Sequence, residues 1–138
     1  MIDFGCKSWT NVNKLRVIVA DDNPAVLRQL VGLLGAEFDV VATAENGQAA
    51  LEHIRQYRPD IVVLDLQMPL LNGIEVTRKL KAIAPAAAVV ICSVETDPEV
   101  VQACQQAGAL GYVVKMFAAR DLAAAVRAVA RGESFLST

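Results

Sequence analysis

Apolar residues occur along this chain in short blocks that alternate between two spacings. Five runs are rich in Val, Ile and Ala and too short for helices, so they predict buried strands at residues 15–20, 38–44, 61–64, 87–93 and 110–114. Pro69 has no N–H to donate to a sheet, so the third run must give way to a loop near that position.

Each strand is followed by a stretch with helical spacing. Asn23-Pro24 supplies a side-chain cap and a preset φ, and Leu27, Leu30 and Leu34 then form an apolar stripe as far as Gly35. Four further helices are predicted at about 48–57, from Asn72-Gly73 to Pro85, from Asp97-Pro98 to Gly108, and at about 118–131.

Five strands alternating with five helices predict an α/β fold with a doubly wound, five-stranded parallel sheet covered on both faces. Strand order cannot be read from one sequence, but 2-1-3-4-5 is one of the common orders. We expect residues 1–13 to be a polar lead-in, residues 14–132 to form the domain, and residues 133–138 to follow it.

Composition excludes several classes of function. The 138 residues are 54% hydrophobic, and the net charge of −2 gives no basic surface for nucleic acid. No apolar run approaches the roughly 20 residues needed to cross a bilayer, and the N-terminus lacks a secretory core, so we expect a cytoplasmic protein without membrane contact. Cys6, Cys92 and Cys104 are odd in number and share no close spacing, which favours reduced thiols.

Charged and polar side chains collect where the predicted strands end. Asp21 and Asp22 follow the first strand, Asp65 the third and Lys115 the fifth, while Ser93 ends the fourth. Each alone has an ordinary interpretation as a turn, cap or solvated residue. In a parallel sheet, however, they all lie at one edge, where ligands bind in such folds. The joint pattern therefore favours a site.

Three carboxylates in one cleft repel one another, by about 4 kcal/mol for a pair 4 Å apart at an effective dielectric of 20. Either one proton is retained or a cation is bound, and oxygen ligands suit Mg²⁺, or Mn²⁺. Magnesium with few carboxylates favours phosphoryl chemistry, in which Asp65 would be a nucleophile and Lys115 a second positive charge. Ser93 would hydrogen-bond a phosphoryl oxygen.

The chain resembles the receiver domain of a two-component response regulator. The resemblance rests on the acidic pair Asp21-Asp22, the stretch from Asp65 to Gly73, Ser93, and the sequence from Gly111 to Lys115, and it covers residues 14–132. It implies the flavodoxin-like receiver fold and a set of roles: phosphoacceptor Asp65; metal ligands Asp21, Asp22, Asp65 and the backbone carbonyl of Gln67; phosphoryl contacts Ser93 and Lys115; switch residues Ser93 and Tyr112.

The resemblance also implies partners. A phosphohistidine on a sensor kinase is the expected phosphodonor, and the protein is expected not to turn over an external substrate. Residues 128–138 resemble the end of receivers of the NarL/FixJ class, so residues 133–138 are expected to begin a linker to a DNA-binding effector domain. Homodimers on phosphorylation are possible. The output surface is expected on the fourth helix, fifth strand and fifth helix.

Three positions depart from the common pattern and leave alternatives. Gln67 and Val94 are expected to modulate the site, and Met116 stands where many receivers have a cis-proline, so a trans bond is expected there. One alternative is an aspartate-nucleophile phosphatase, but Gln67 stands where that class has its second acid. The other is a pseudo-receiver that only binds partners. A dinucleotide fold is disfavoured, because no glycine-rich loop follows the first strand.

Overall fold

The computed structural model describes residues 14–137, so the predicted lead-in at 1–13 and Cys6 lie outside the described residues. Strands and helices alternate as predicted, and most boundaries agree within two residues. In chain order they are β1 Arg16–Ala20, α1 Pro24–Leu34, β2 Asp39–Ala44, α2 Gly47–Tyr57, β3 Ile61–Leu64, α3 Gly73–Ile83, β4 Ala88–Ser93, α4 Pro98–Ala107, β5 Gly111–Val114, a 3₁₀ turn Lys115–Phe117, α5 Ala118–Ala130 and β6 Phe135–Leu136.

The sheet has the order β2-β1-β3-β4-β5-β6, and all of its pairings are parallel. The predicted order 2-1-3-4-5 and the α/β class are confirmed. One strand more than predicted is present, because Phe135 and Leu136 pair with Gly111 and Tyr112. A two-residue strand in a polar tail has no periodicity, so the sequence pattern does not reveal it.

Two apolar clusters cover the two faces of the sheet. Successive residues of a strand point to opposite faces, so Ile18 and Val62 belong to one cluster while Val17 and Val63 belong to the other. Helices α2, α3 and α4 cover the first face, and α1 and α5 cover the second. This doubly wound arrangement leaves the loops at the carboxyl ends of the strands as the open edge.

Side-chain caps fix where four of the helices begin at this edge. Asn23, Asn46, Asn72 and Asp97 each accept a hydrogen bond from a backbone N–H in the first turn of the helix that follows. At Asn72 the bond is reciprocal, because the Glu75 carboxylate accepts from the Asn72 N–H in turn. Each of these loops therefore ends at a defined capping residue.

Candidate functional site

Asp21 lies at the end of β1, where the backbone leaves the sheet. Its N–H still donates to Ala44 O of β2 at 3.0 Å, which keeps the residue in line with the strand. Its side chain is 0% exposed, and Oδ1 accepts a hydrogen bond from the Asn23 N–H at 2.9 Å. The carboxylate is thus held in one orientation before any partner binds.

Asp65 lies beside it at the end of β3. Its N–H donates to Ala20 O at 2.9 Å, and the residue is 6% exposed. The following loop folds back so that the Gly73 N–H donates to Leu66 O at 2.9 Å. A Cβ on Gly73 would lie 2.5 Å from Asp65 O, so only glycine allows this close approach.

Lys115 brings its ammonium group between these two carboxylates. Its Nζ lies 2.7 Å from Asp21 Oδ2 and 3.2 Å from Asp65 Oδ1, with 18% of the side chain exposed. Burial alone would lower the pKa of Lys115, but the hydrogen bond to Asp21 and the charges of both carboxylates outweigh it and raise the pKa. The lysine is therefore a fixed positive charge in the site.

The charged form of Asp65, unlike that of Lys115, is disfavoured by its surroundings. Burial and then the neighbouring charge of Asp21 raise the pKa of Asp65 from 3.8 to about 6, although Lys115 acts to lower it. The carboxylate is still mostly ionised at neutral pH. Its high free energy in the ionised state makes it a good acceptor for a cation or for an electrophile.

The acidic residues fit an oxygen-ligated metal ion. One carboxylate oxygen from each of Asp21, Asp22 and Asp65 lies within 4.8 Å of the others. Asp21 Oδ2 is buried, and within residues 14–137 it is paired with the Lys115 ammonium at 2.7 Å. A buried acceptor in that state is suited to a hard divalent cation.

A cavity of about 340 Å³ opens over these residues. All of the predicted site residues except Tyr112 line it. Three further lining residues were not predicted to belong to the site: Asn23, Val26 and Glu95. The full lining is Asp21, Asp22, Asn23, Val26, Asp65, Gln67, Ser93, Val94, Glu95 and Lys115.

Tyr112 is not among the residues that line this cavity, and it is 1% exposed. Its Oη donates to Glu95 O at 2.7 Å, and the Glu95 N–H donates to Ser93 Oγ at 3.1 Å. The two predicted switch residues therefore hold the same residue of the β4–α4 loop from opposite sides. No sequence signal identified Glu95, because its contribution is made by its backbone.

Exposed apolar side chains belong to the segments that follow β3, β4 and β5. Val94 and Met116 are 75% and 79% exposed, and Leu70 is also exposed, with a left-handed φ of 72°. Val94 thus turns most of its side chain to solvent while it lines the cavity. No cis peptide bond occurs within residues 14–137, which agrees with the trans bond expected before Met116.

Comparison with known proteins agrees with this geometry. Residues 17–127 match the response regulator receiver domain. The transcriptional regulatory protein DegU of Brevibacillus brevis is 34% identical over 128 residues, which cover 91% of this chain and 54% of that protein. The DNA-binding transcriptional activator DevR/DosR of Mycobacterium tuberculosis is 40% identical over 124 residues, which cover 88% of this chain and 57% of that protein.

Among solved structures, a two-component response regulator of the LuxR family from Aurantimonas superposes with a TM-score of 0.86 at 31% identity, covering 91% of each chain. The chain therefore belongs to the response regulator receiver family of two-component systems, and its similarity to LuxR-family members is confirmed. It spans about half the length of the curated relatives it matches. Within residues 14–137, no helix is both long and apolar enough to span a membrane.

Proposed function

We propose that this domain accepts a phosphoryl group on Asp65, with Mg²⁺ or Mn²⁺ required, and so switches the state of a larger regulator. One observation carries the proposal. The Lys115 ammonium contacts both Asp21, which is buried, and Asp65, whose pKa is raised. The carboxylate of Asp22 lines the same cavity. Carboxylates with perturbed pKa values beside a base, at the open edge of a parallel sheet, are typical of a functional site.

In the proposed reaction, a carboxylate oxygen of Asp65 attacks the phosphorus of a phosphohistidine on a sensor kinase. The phosphorus–nitrogen bond breaks, its electron pair returns to the imidazole, and Asp65 becomes an acyl phosphate. Attack of water on phosphorus later releases inorganic phosphate and restores the carboxylate. Asp65 is thus a transient acceptor, and the domain does not process an external substrate in the usual enzymatic sense.

The chain's own residues would stabilise the transferred group. Asp21, Asp22, Asp65 and the backbone carbonyl of Gln67 would hold the cation, which supplies charge neutralisation for the phosphoryl oxygens when it is bound. The Lys115 Nζ is already 3.2 Å from Asp65 and would pair with a phosphoryl oxygen. The Ser93 hydroxyl on the cavity wall would donate to another, while the side chains of Gln67 and Val94 at the opening would set how readily water enters.

The proposed switch runs through the β4–α4 loop. A phosphoryl group adds negative charge and acceptor oxygens, so Ser93 would turn toward it and its bond from the Glu95 N–H would change. Tyr112 holds the same residue through Glu95 O, so its ring position would respond. The surface of α4, β5 and α5 would report this change to the rest of the protein.

The proposed output is transcription. DegU and DevR/DosR are transcription regulators about twice as long as the aligned region, so we propose that a DNA-binding domain follows this one in the same polypeptide. This domain would contact the kinase and its own effector domain but not DNA, with a possible homodimer in the phosphorylated state. A natural protein that ends at Thr138 would contradict the linked effector.

The direct test is incubation with Mg²⁺ and acetyl phosphate followed by intact mass measurement. The unaltered chain should gain one phosphoryl group, and Asp65→Asn should gain none. Glu52→Gln, on the exposed side of α2, is the matched control and should be labelled normally.

An unlabelled wild-type chain would favour the pseudo-receiver alternative, and labelling that persists in Asp65→Asn would exclude Asp65 as the acceptor. Continuous turnover of varied phosphate esters would favour the phosphatase.

A further inference from the structure

The chain returns to the sheet after α5 and forms an edge strand on β5. The Phe135 N–H donates to Leu110 O at 3.0 Å, and the Ser137 N–H donates to Tyr112 O at 2.9 Å. A left-handed Gly132, with φ of 81°, reverses the chain between α5 and this strand. The residues that were expected to start a linker therefore lie against the strand that carries Tyr112.

Ser137 makes two further bonds through its side chain. Its Oγ accepts a hydrogen bond from the Val114 N–H at 3.1 Å and donates one to Asp121 Oδ2 at 2.8 Å. Both Ser137 and Asp121 are buried, and the Arg120 guanidinium holds the two Asp121 oxygens at 2.7 and 2.9 Å. One serine hydroxyl thus links the end of β5 to the first turn of α5.

The position of this link matters because Val114 directly precedes Lys115. The backbone of Lys115 leaves β5 at the residue that Ser137 holds, and it enters the 3₁₀ turn that leads to α5 and Asp121. The ammonium group of Lys115 then reaches Asp21 and Asp65. The bonds of Ser137 therefore constrain both sides of the loop that carries the lysine.

We propose that Ser137 and Asp121 are positioning residues for Lys115, and that docking of β6 raises the affinity of the site for a phosphoryl group. The inference rests on the proposed function of that site and assigns its regulation to the C-terminal segment 133–137. When β6 is paired with β5, the bonds of Ser137 hold the 3₁₀ turn at Lys115 in the arrangement that places Nζ beside Asp65. When β6 separates from β5, the turn loses these bonds.

The physical basis is that undocking breaks several bonds at once. Without the Ser137 hydroxyl, Asp121 Oδ2 keeps only its bond from Arg120, and the Val114 N–H loses its acceptor. A buried N–H without an acceptor is unfavourable. The coupling is reciprocal, so a ligand that prefers the docked state must also favour docking of β6. Any force that a downstream domain exerts on Ser137 would then reach the site.

The first test measures the affinity of the site for beryllofluoride, a phosphoryl mimic, in the presence of Mg²⁺, by titration calorimetry on the full chain. Ser137→Ala should weaken binding about fivefold or more, within the usual range of site coupling. Ser137→Thr keeps the hydroxyl and should restore most of the affinity. Glu37→Gln weakens a different link of α5, the ion pair between Glu37 and Arg127, and its affinity should be unchanged.

The second test measures the reverse coupling by amide hydrogen exchange. Saturation with beryllofluoride and Mg²⁺ should slow exchange at Phe135 and Ser137 more than at Asp39, whose N–H bonds Leu15 O at the opposite edge of the sheet. A purely structural role for Ser137 would lower thermal stability without changing affinity.

Equal affinity in Ser137→Ala and the unaltered chain, or unchanged exchange at β6, would overturn the inference and leave the proposed function intact. Failure of the unaltered chain to bind the mimic at all would instead overturn the proposed function, and the inference with it.

Discussion

Asp65 is held in surroundings that disfavour its own charge. Burial and Asp21 raise the pKa of Asp65 to about 6, whereas an unfolded chain has a carboxyl pKa near 3.8. The folded state therefore binds a proton more tightly than the unfolded state does. Ionised Asp65 lowers the free energy of unfolding, and this loss develops as the pH rises from about 4 to about 6.

Replacement of this carboxylate should stabilise the domain. In the absence of divalent metal, Asp65→Asn should raise the free energy of unfolding at pH 7 by about 1–2 kcal/mol, since the cavity is partly open to water and the full pKa difference is not realised. Urea unfolding at pH 7 and at pH 4 measures this, and the gain should largely disappear at pH 4. Glu52→Gln, which is exposed, should change neither value by more than a few tenths of a kcal/mol. A gain that is the same at both pH values would contradict the electrostatic cause.

The sequence predicted which charged residues meet but not how they meet. The convergence of Asp21, Asp65 and Lys115 follows from strand direction alone, because parallel strands end at one edge. Their ionic contacts depend on side-chain rotamers and on the 3₁₀ turn after β5, which no local pattern specifies. The hydrogen bond from Tyr112 to Glu95 O could not be predicted from the sequence either, because a residue of any type has that backbone oxygen.

Among the elements, the β3–α3 loop depends most directly on one residue type. The backbone passes so close to Asp65 that a side chain at Gly73 has no room. Gly32, on the exposed face of α1, has no atom within 4 Å of an added Cβ. The two glycines therefore separate the effect of close packing from that of helix propensity.

The same substitution should have opposite effects at these two positions. Gly73→Ala should lower the free energy of unfolding by about 1–3 kcal/mol, because the Asp65 backbone must move. Gly32→Ala should raise it by about 1 kcal/mol, because alanine loses less backbone entropy in a helix. Thermal or urea unfolding measures both. In acetyl phosphate labelling, Gly73→Ala should also react more slowly than Gly32→Ala, and equal rates would contradict the link between this loop and the site.

Periodicity predicted the long elements because their apolar stripes are set by burial. The four buried residues of β3 and the stripe of α1 have no other arrangement that removes them from water. Strand β6 was missed because its two residues are held by pairing with β5 and by the bonds of Ser137, both of which are tertiary. A short strand that is stabilised by residues far away in the sequence has no recognisable sequence pattern of its own.

At the scale of the whole molecule, the fold is a sheet packed on both faces, with charged residues gathered at one open edge. Apolar clusters fix both faces of the sheet, while the loops after β1, β3, β4 and β5 collect the charges. A ligand that neutralises this edge should therefore stabilise the entire domain, since unfolding must release it.

Magnesium should act in this way and should do so in a pH-dependent manner. A free Mg²⁺ concentration 100 times the Kd should raise the free energy of unfolding by about 2.7 kcal/mol at pH 7.5. Below about pH 6 a proton on Asp65 competes with the cation, so the same concentration at pH 5.5 should stabilise the domain less. Asp22→Asn removes an exposed carboxylate that we propose as a ligand, so it should reduce the effect at pH 7.5 while leaving the metal-free fold nearly unchanged. Urea unfolding with and without Mg²⁺, at matched ionic strength, measures all three. Equal stabilisation by NaCl, or full stabilisation in Asp22→Asn, would show that the three carboxylates do not form the metal site.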